Sequence, residues 1–373
     1  MSMDVHAFLA GIWYLLLGLI LVLYVITDGF DLGVGILALF ERDAARLGVM
    51  MAGIGAVWDA NETWLVLFGG ALFGAFPAVY AVTLHALYVP LSAMLFGLIL
   101  RGIAFEFPGY ARDKRIWRLA FGGGSLVAAL AQGYMLGAVI AGLPVEDGVF
   151  IGGTWSWLGL FPSVVAIGVA AGYTLLGGTY LNIKTYDELQ LISRRRSRQA
   201  AWIMLASAAC VTVSTPLSYG YIAQRWFTMP AVFFLAMLPL AGLAAWVRLM
   251  QALNRGKEYA PFVWSVVIFT VSFVGLAASL YPYLVPPTMS LAGSASSSAT
   301  LVFMLAGIGL LIPVMLVYNG FQYLVFRGKI PREIPAHSVK AADVVRDAEH
   351  SAHASAGSVR QHTGRARSMV ERG

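Results

Sequence analysis

Asp59, Asn61 and Glu62 stand close together in the stretch VWDANETW at residues 57–64, and the run around them, from about residue 49 to 76, is otherwise apolar. Asp59 and Glu62 are three apart, so on a helix they share one face about one turn from each other. A second pair, Asp28 and Asp31, repeats that spacing in TDGFDLGVG. Ionisable side chains inside apolar spans are costly and usually face a protein interior or a water path. Carboxyl groups placed there relay protons, coordinate cations, or simply hydrogen-bond neighbouring helices. Arg101, in LILRGIAFEF ahead of Glu106, either pairs with one of these acids and keeps it charged or marks the membrane interface.

The elements that must position these residues are membrane helices. The chain has 373 residues, of which 59% are hydrophobic and 12% charged, and its mean hydropathy is +0.75; a soluble domain carries about 25% charged residues. In lipid each backbone polar group must be satisfied within its own segment, so an all-α integral membrane protein is expected. Nine spans are predicted, over residues 8–40, 49–73, 77–101, 117–141, 157–181, 200–223, 230–251, 261–282 and 300–326. The start, MSMDVHAF, has no Lys or Arg, and the apolar segment behind it is too long for a signal-peptide core, so it reads as a retained first helix.

Basic residues set the orientation. Arg42 and Arg46, Arg101 to Arg118, Lys184 with the RRRSR run at Arg194 to Arg198, and Arg248, Arg255 and Lys257 occupy alternate connections, while the others hold only Arg225. With nine spans this places the N-terminus in the periplasm and the C-terminus in the cytoplasm. The pI of about 9.4 follows from this bias and from the tail, and it gives no reason to expect a nucleic-acid partner. Residues 1–330 form the membrane domain, and residues 331–373, rich in Ala, Ser, His, Arg and Asp without apolar period, read as a disordered cytoplasmic tail. The tail histidines His337, His350, His353 and His362 are irregularly spaced, as surface residues are. Glycine pairs at four-residue spacing (29/33, 70/74, 133/137 and 168/172) predict close helix packing.

Asp28 and Asp31 lie about nine to twelve residues before the predicted cytoplasmic end of the first span, and Asp59 and Glu62 lie ten to thirteen residues into the next. At about 1.5 Å per residue all four reach a similar depth, roughly 14 to 20 Å from the boundary. A water-linked proton path is the simplest use of such a set, with cation coordination next. His85 is the only histidine inside a predicted span, too few for a haem-copper centre. The single Cys210 excludes an intrachain disulfide. Gln132 and Tyr134 read as helix–helix hydrogen-bonding residues.

Taken together, TDGFDLGVG, WDANETWL followed by GGALFGAFPAVYA, RGIAFEF, and GGTYLNIKT at residues 177–185 resemble subunit II of the cytochrome bd-type quinol oxidases. The run from HALYVPL through RGIAFEF is most similar to the branch called cyanide-insensitive. The resemblance covers residues 5–330. It implies two four-helix bundles plus one extra helix, in the bacterial inner membrane, paired with a larger subunit I that binds two b-type haems and haem d. It implies quinol oxidation coupled to reduction of oxygen to water, with no cofactor held firmly by this chain, and it leaves room for a bound quinone and a small accessory subunit. Family matching singles out Asp59 as a proton-path residue with Asp28 beside it, whereas Glu62 and Asp31 rest on spacing. A proton- or cation-coupled secondary transporter is the other class that needs intramembrane acids, but no inverted repeat of the kind such transporters carry is visible.

Overall fold

The computed structural model describes residues 2–106, 114–229 and 231–331. The tail expected to be disordered thus lies outside the described residues, apart from its first residue. Helix α1, Ser2–Ala38, is continuous and carries both Asp28 and Asp31. It begins earlier than the predicted 8–40 span, and its His6 is held by Ser298 and the Ala292 carbonyl.

The predicted 49–73 span is two helices, α2 (Ala44–Gly55) and α3 (Trp58–Ala75). Asp43 caps α2 by accepting from the Arg46 and Ala45 amides, and those bonds hold its carboxyl below the usual range. The chain breaks after Gly55, and α3 restarts with Asp59 in its first turn, where the helix dipole favours an anion. The predicted 77–101 span is also broken, into α4 (Pro77–Ala86) and α5 (Tyr88–Glu106). Pro90 has no amide to give the Ala86 carbonyl and crowds it, so α4 stops at that residue.

Next come α6 (Lys114–Ala141), the two-residue strands β1 (Val145–Glu146) and β2 (Val149–Phe150), and α7 (Leu160–Lys184). The strands form a tight hairpin over Asp147 and Gly148, both at positive φ, as a two-residue connection demands. Helix α8, Asp187–Ser218, takes up the RRRSR run that the sequence reading leaves in a loop. Arg196 donates from that run to the Leu37 and Phe40 carbonyls at the end of α1, satisfying acceptors that a helix C-terminus leaves free. The remaining elements are α9 (Gly220–Trp226), α10 (Ala231–Asn254), α11 (Ala260–Leu280), a second hairpin of β3 (Tyr283–Val285) and β4 (Met289–Ser290), the short α12 (Leu291–Ser294) and α13 (Ser298–Val325). The two hairpins qualify the all-α expectation only in the loops.

Eight helices among the described residues are long and apolar enough to cross a membrane. Helix α3 is not one of them, because Asp59, Asn61 and Glu62 dilute its apolar run.

Helix α1 is the centre of the packing and touches α3, α6 and α7. The approach to α7 is so close that a Cβ on Gly33 would run into the Tyr173 carbonyl, which is the role the glycine spacing predicts. Gly70, by contrast, faces open space. One apolar cluster gathers Phe30 to Ala38 of α1 with parts of α2, α5, α6 and α7. A second gathers Leu9 to Tyr24 with α3, α4 and α13. Between them on α1 lies the short stretch that holds Thr27 and Asp28, with Asp31 just past Phe30.

Candidate functional site

A buried ion pair sits at that boundary. The Arg101 guanidinium of α5 donates to Asp28 Oδ1 of α1 at 2.6 Å, and neither side chain is exposed. Its other terminal nitrogen donates to Glu62 Oε2 of α3 at 3.0 Å, where Glu62 keeps 28% of its side chain accessible. Arg101 thus joins three helices and two carboxylates through one planar group, which a lysine could not do with the same geometry. Of the two roles left open for Arg101, the structure has it pairing with the acids.

Asp31 reaches the group indirectly. Asn61 donates to Asp31 Oδ2 at 2.8 Å and accepts from the Tyr323 hydroxyl of α13 at 2.7 Å. A further arm runs inward: Gln132 of α6 donates to the Tyr24 hydroxyl at 2.8 Å and accepts from the Tyr173 hydroxyl of α7 at 2.6 Å. Gln132 and Tyr134 therefore do bind neighbouring helices, the latter through Ser163. Tyr24 is one helical turn before Asp28 and close enough to interact with it.

Asp59 stands apart. It lies on the exposed face of α3, and among the described residues its only contact of note is its backbone carbonyl, which accepts from Thr63. The four acids are thus graded from the surface inward: Asp59 exposed, Glu62 half-buried, Asp28 and Asp31 fully buried. One oxygen of Asp28, one of Asp31 and the Arg101 Nε are buried without a protein partner. Buried polar atoms are usually satisfied, so three exceptions at one place mark a site suited to bound water.

Sequence reasoning missed Tyr323 and assigned no role to Asn61, which links it to Asp31. Tyr323 sits in the polar interruption YNGFQY of an otherwise apolar helix, a signal that was available. The side chain of Glu106 lies outside the described residues.

His85 does not offer a buried haem ligand. His85, at the end of α4, is exposed and packs its ring against the edge of Phe150 rather than into a buried cavity. Among the described residues there is no group of three or more His, Cys, Asp or Glu able to hold a metal ion.

A family model described as cytochrome bd terminal oxidase subunit II matches residues 9–326. The chain is 28% identical to cytochrome bd-I ubiquinol oxidase subunit 2 of Escherichia coli (strain K12), over 86% of this chain and 95% of that protein. It is 25% identical to cytochrome bd ubiquinol oxidase subunit 2 of Bacillus subtilis (strain 168), over 88% and 99%. The solved structure of bd oxidase from Geobacillus thermodenitrificans has a chain of the same fold, with a TM-score of 0.67 at 20% identity, covering 86% of this chain and 99% of that one.

Proposed function

Because the chain belongs to the cytochrome bd terminal oxidase subunit II family, we propose that it is the haem-free second subunit of a quinol:oxygen oxidoreductase in a respiratory chain, supporting a haem-bearing subunit I and carrying part of the proton path from the cytoplasm. The secondary-transporter reading is not favoured by that membership. Haems held by the subunit I partner would catalyse the reduction of oxygen to water with electrons from quinol.

The observation that carries the proton-path reading is the inward gradation from exposed Asp59 through Glu62 to buried Asp28 and Asp31, with Glu62 and Asp28 joined by Arg101. Three carboxyl groups gathered around one guanidinium leave more acid sites than cations. Such an excess lets a proton be held at one oxygen and passed to the next. Arg101 keeps the buried anions tolerable, Asn61 and Tyr323 orient Asp31, and the exposed face of Asp59 is where a proton crosses to or from a partner surface.

The proposed layout keeps nine spans. The 49–73 region crosses as α2 with α3, and the 77–101 region as α4 with α5, giving two four-helix bundles and one extra helix in the bacterial inner membrane. The hairpins then face the periplasm, and the Arg194 to Arg198 run and the end of α13 face the cytoplasm. The test is to purify the native complex through this chain. Absorption of b- and d-type haem with quinol-driven oxygen uptake supports the assignment, and uptake persisting in cyanide supports the branch that the sequence resembles. A haem-free native complex removes the oxidase role.

A further inference from the structure

Away from the acid cluster, at the end of the bundle that carries both hairpins, lies a cavity of about 350 Å³ whose lining includes Tyr221, Gln224, Arg225, Thr228, Tyr281 and Tyr283. Arg225 is the only Lys or Arg in the connections that the basic-residue alternation assigns to this side. Its position is fixed by its own Nε, which donates to the Ala278 carbonyl at 2.8 Å, and by the Tyr281 ring, whose centroid lies 5.2 Å below the guanidinium. The neighbouring Trp226 donates to Ser279 at 2.9 Å, tying the same turn of α9 to α11. None of the ion pairs among the described residues includes Arg225. Held in this way, Arg225 lines a cavity that has no acidic residue in its lining.

We propose that this cavity binds the phosphate of an anionic phospholipid in the leaflet on the hairpin side, with Arg225 as the phosphate ligand. A planar guanidinium offers two parallel donors to phosphate oxygens. Tyr221 is already committed through its hydroxyl to the Ile140 carbonyl, so Gln224, Tyr281 and Tyr283 are the residues that complete the headgroup site. On either side of the lining residue Thr228 in the chain, Phe227 and Met229 are strongly exposed, and in a bilayer they form the apolar track on which acyl chains lie. Aromatic rings of this kind sit at headgroup depth. The combination of one cation, aromatic walls and an apolar track selects a lipid over a soluble anion.

The experiment uses the complex recovered through this chain, stripped of lipid and placed in nanodiscs of phosphatidylcholine with graded phosphatidylglycerol, bound lipid being counted by native mass spectrometry. The wild type should retain one phosphatidylglycerol that Arg225→Gln loses, with apparent affinity falling at least about tenfold, the size expected for a charge-assisted hydrogen bond. Arg225→Lys should fall between the two. If Arg225→Gln does not assemble with normal haem content, Tyr281→Leu removes the stacking surface, keeps the cation and should weaken retention in the same assay. Equal phosphatidylglycerol retention in wild type and variants would overturn the proposal, as would equal retention of phosphatidylcholine. Displacement by millimolar inorganic phosphate without preference among lipids would also overturn it and assign the cavity to a free anion.

Discussion

Asp28 and Arg101 meet at 2.6 Å, both fully buried, at the seam between the apolar cluster that fills one half of α1 and the cluster that fills the other. Removing two charges from water costs several kcal/mol per ion, and their attraction offsets this only when the geometry is good and the remaining polar atoms are served. Here Glu62 serves the second nitrogen of Arg101, while the Arg101 Nε and one Asp28 oxygen stay unserved by protein. The pair is therefore a poor device for stability alone and is better understood as the anchor of a polar site.

Arg101→Met should consequently damage assembly more than any single acid replacement, because it strands two carboxylates in an apolar layer. A loss of about 3–5 kcal/mol is expected when one partner of a buried pair is removed. Arg101→Met with Asp28→Leu should recover part of that loss, since the stranded charge is gone. Yield of haem-replete complex and its thermal midpoint report both, and a double variant as poor as Arg101→Met alone would show that the pair is not the cause.

Topology is tested on exposed loop residues. With Cys210→Ala as background, Glu146→Cys in the first hairpin and Ala292→Cys beside the second should react with an impermeant thiol reagent added to the periplasm. Glu188→Cys, at the start of α8, should react only after the cytoplasmic face is opened. These sites are exposed, so failure to label reports sidedness rather than burial. Periplasmic labelling at Glu188 would reverse the orientation argued from the basic residues.

Much of this fold was legible because a membrane span announces itself by length and apolarity. The helices that were read whole, such as α7, α11 and α13, are those whose apolar run is not interrupted by charged residues. The breaks at Ala56 and Leu87 were missed because apolar content continues across them, and only the missing amide of Pro90 and the polar start of α3 mark the interruption. At the site, matching depth brought Asp28, Asp31 and Glu62 to one level, and Arg101 was recognised as a candidate partner. Which side of α3 faces the bundle was not legible: a three-residue spacing puts Asp59 and Glu62 on one face, yet about 60° of rotation remains between them, enough to leave one exposed and bring the other to Arg101. The interruption YNGFQY marks Tyr323 as a polar position, but nothing local reports that it reaches Asn61 from the far end of the chain.

Where the chain beyond α13 meets the connection between α10 and α11, Lys329 donates to Glu258 at 2.6 Å and Gln190 donates to the same oxygen at 3.2 Å. Lys184 meanwhile holds the Phe326 carbonyl at the end of α13. The bonds from Lys329 and Gln190 hold the Glu258 carboxyl below the usual carboxylate range. A group whose pKa is lower folded than unfolded stabilises the fold above its unfolded pKa, near 4.3, and that contribution fades as pH falls through the lower folded value. Glu258 keeps 39% of its side chain accessible, so solvent screening should hold the effect to about a few tenths of a kcal/mol. Glu258→Gln should lower the thermal midpoint slightly at pH 7 and converge with the wild type only as pH falls from about 4 to about 3; a gap unchanged down to about pH 3 would place the effect elsewhere.

The exposed position of Asp59 separates chemistry from architecture. Its carboxylate makes no side-chain bond among the described residues, so Asp59→Asn removes a titratable group without removing a support, and assembly and haem content should stay near normal. If Asp59 passes protons, turnover should fall by about 10²–10⁴-fold, the range for loss of a positioned acid–base group. Asp28→Asn differs, because it weakens the buried pair with Arg101 and should lower both yield and turnover. Glu62→Gln keeps a hydrogen bond to Arg101 and stays partly accessible, so its yield should lie between those two while its turnover drops if it is the station between Asp59 and Asp28. Comparison therefore needs turnover per haem, with saturating quinol, alongside proton uptake in proteoliposomes. In double variants, Asp59→Asn with Asp28→Asn should be no slower per haem than the slower single variant if both lie on one path, whereas independent roles multiply. Wild-type turnover and proton uptake in Asp59→Asn would remove Asp59 from the path and leave Glu62, the only other accessible acid of the group, as the point of entry.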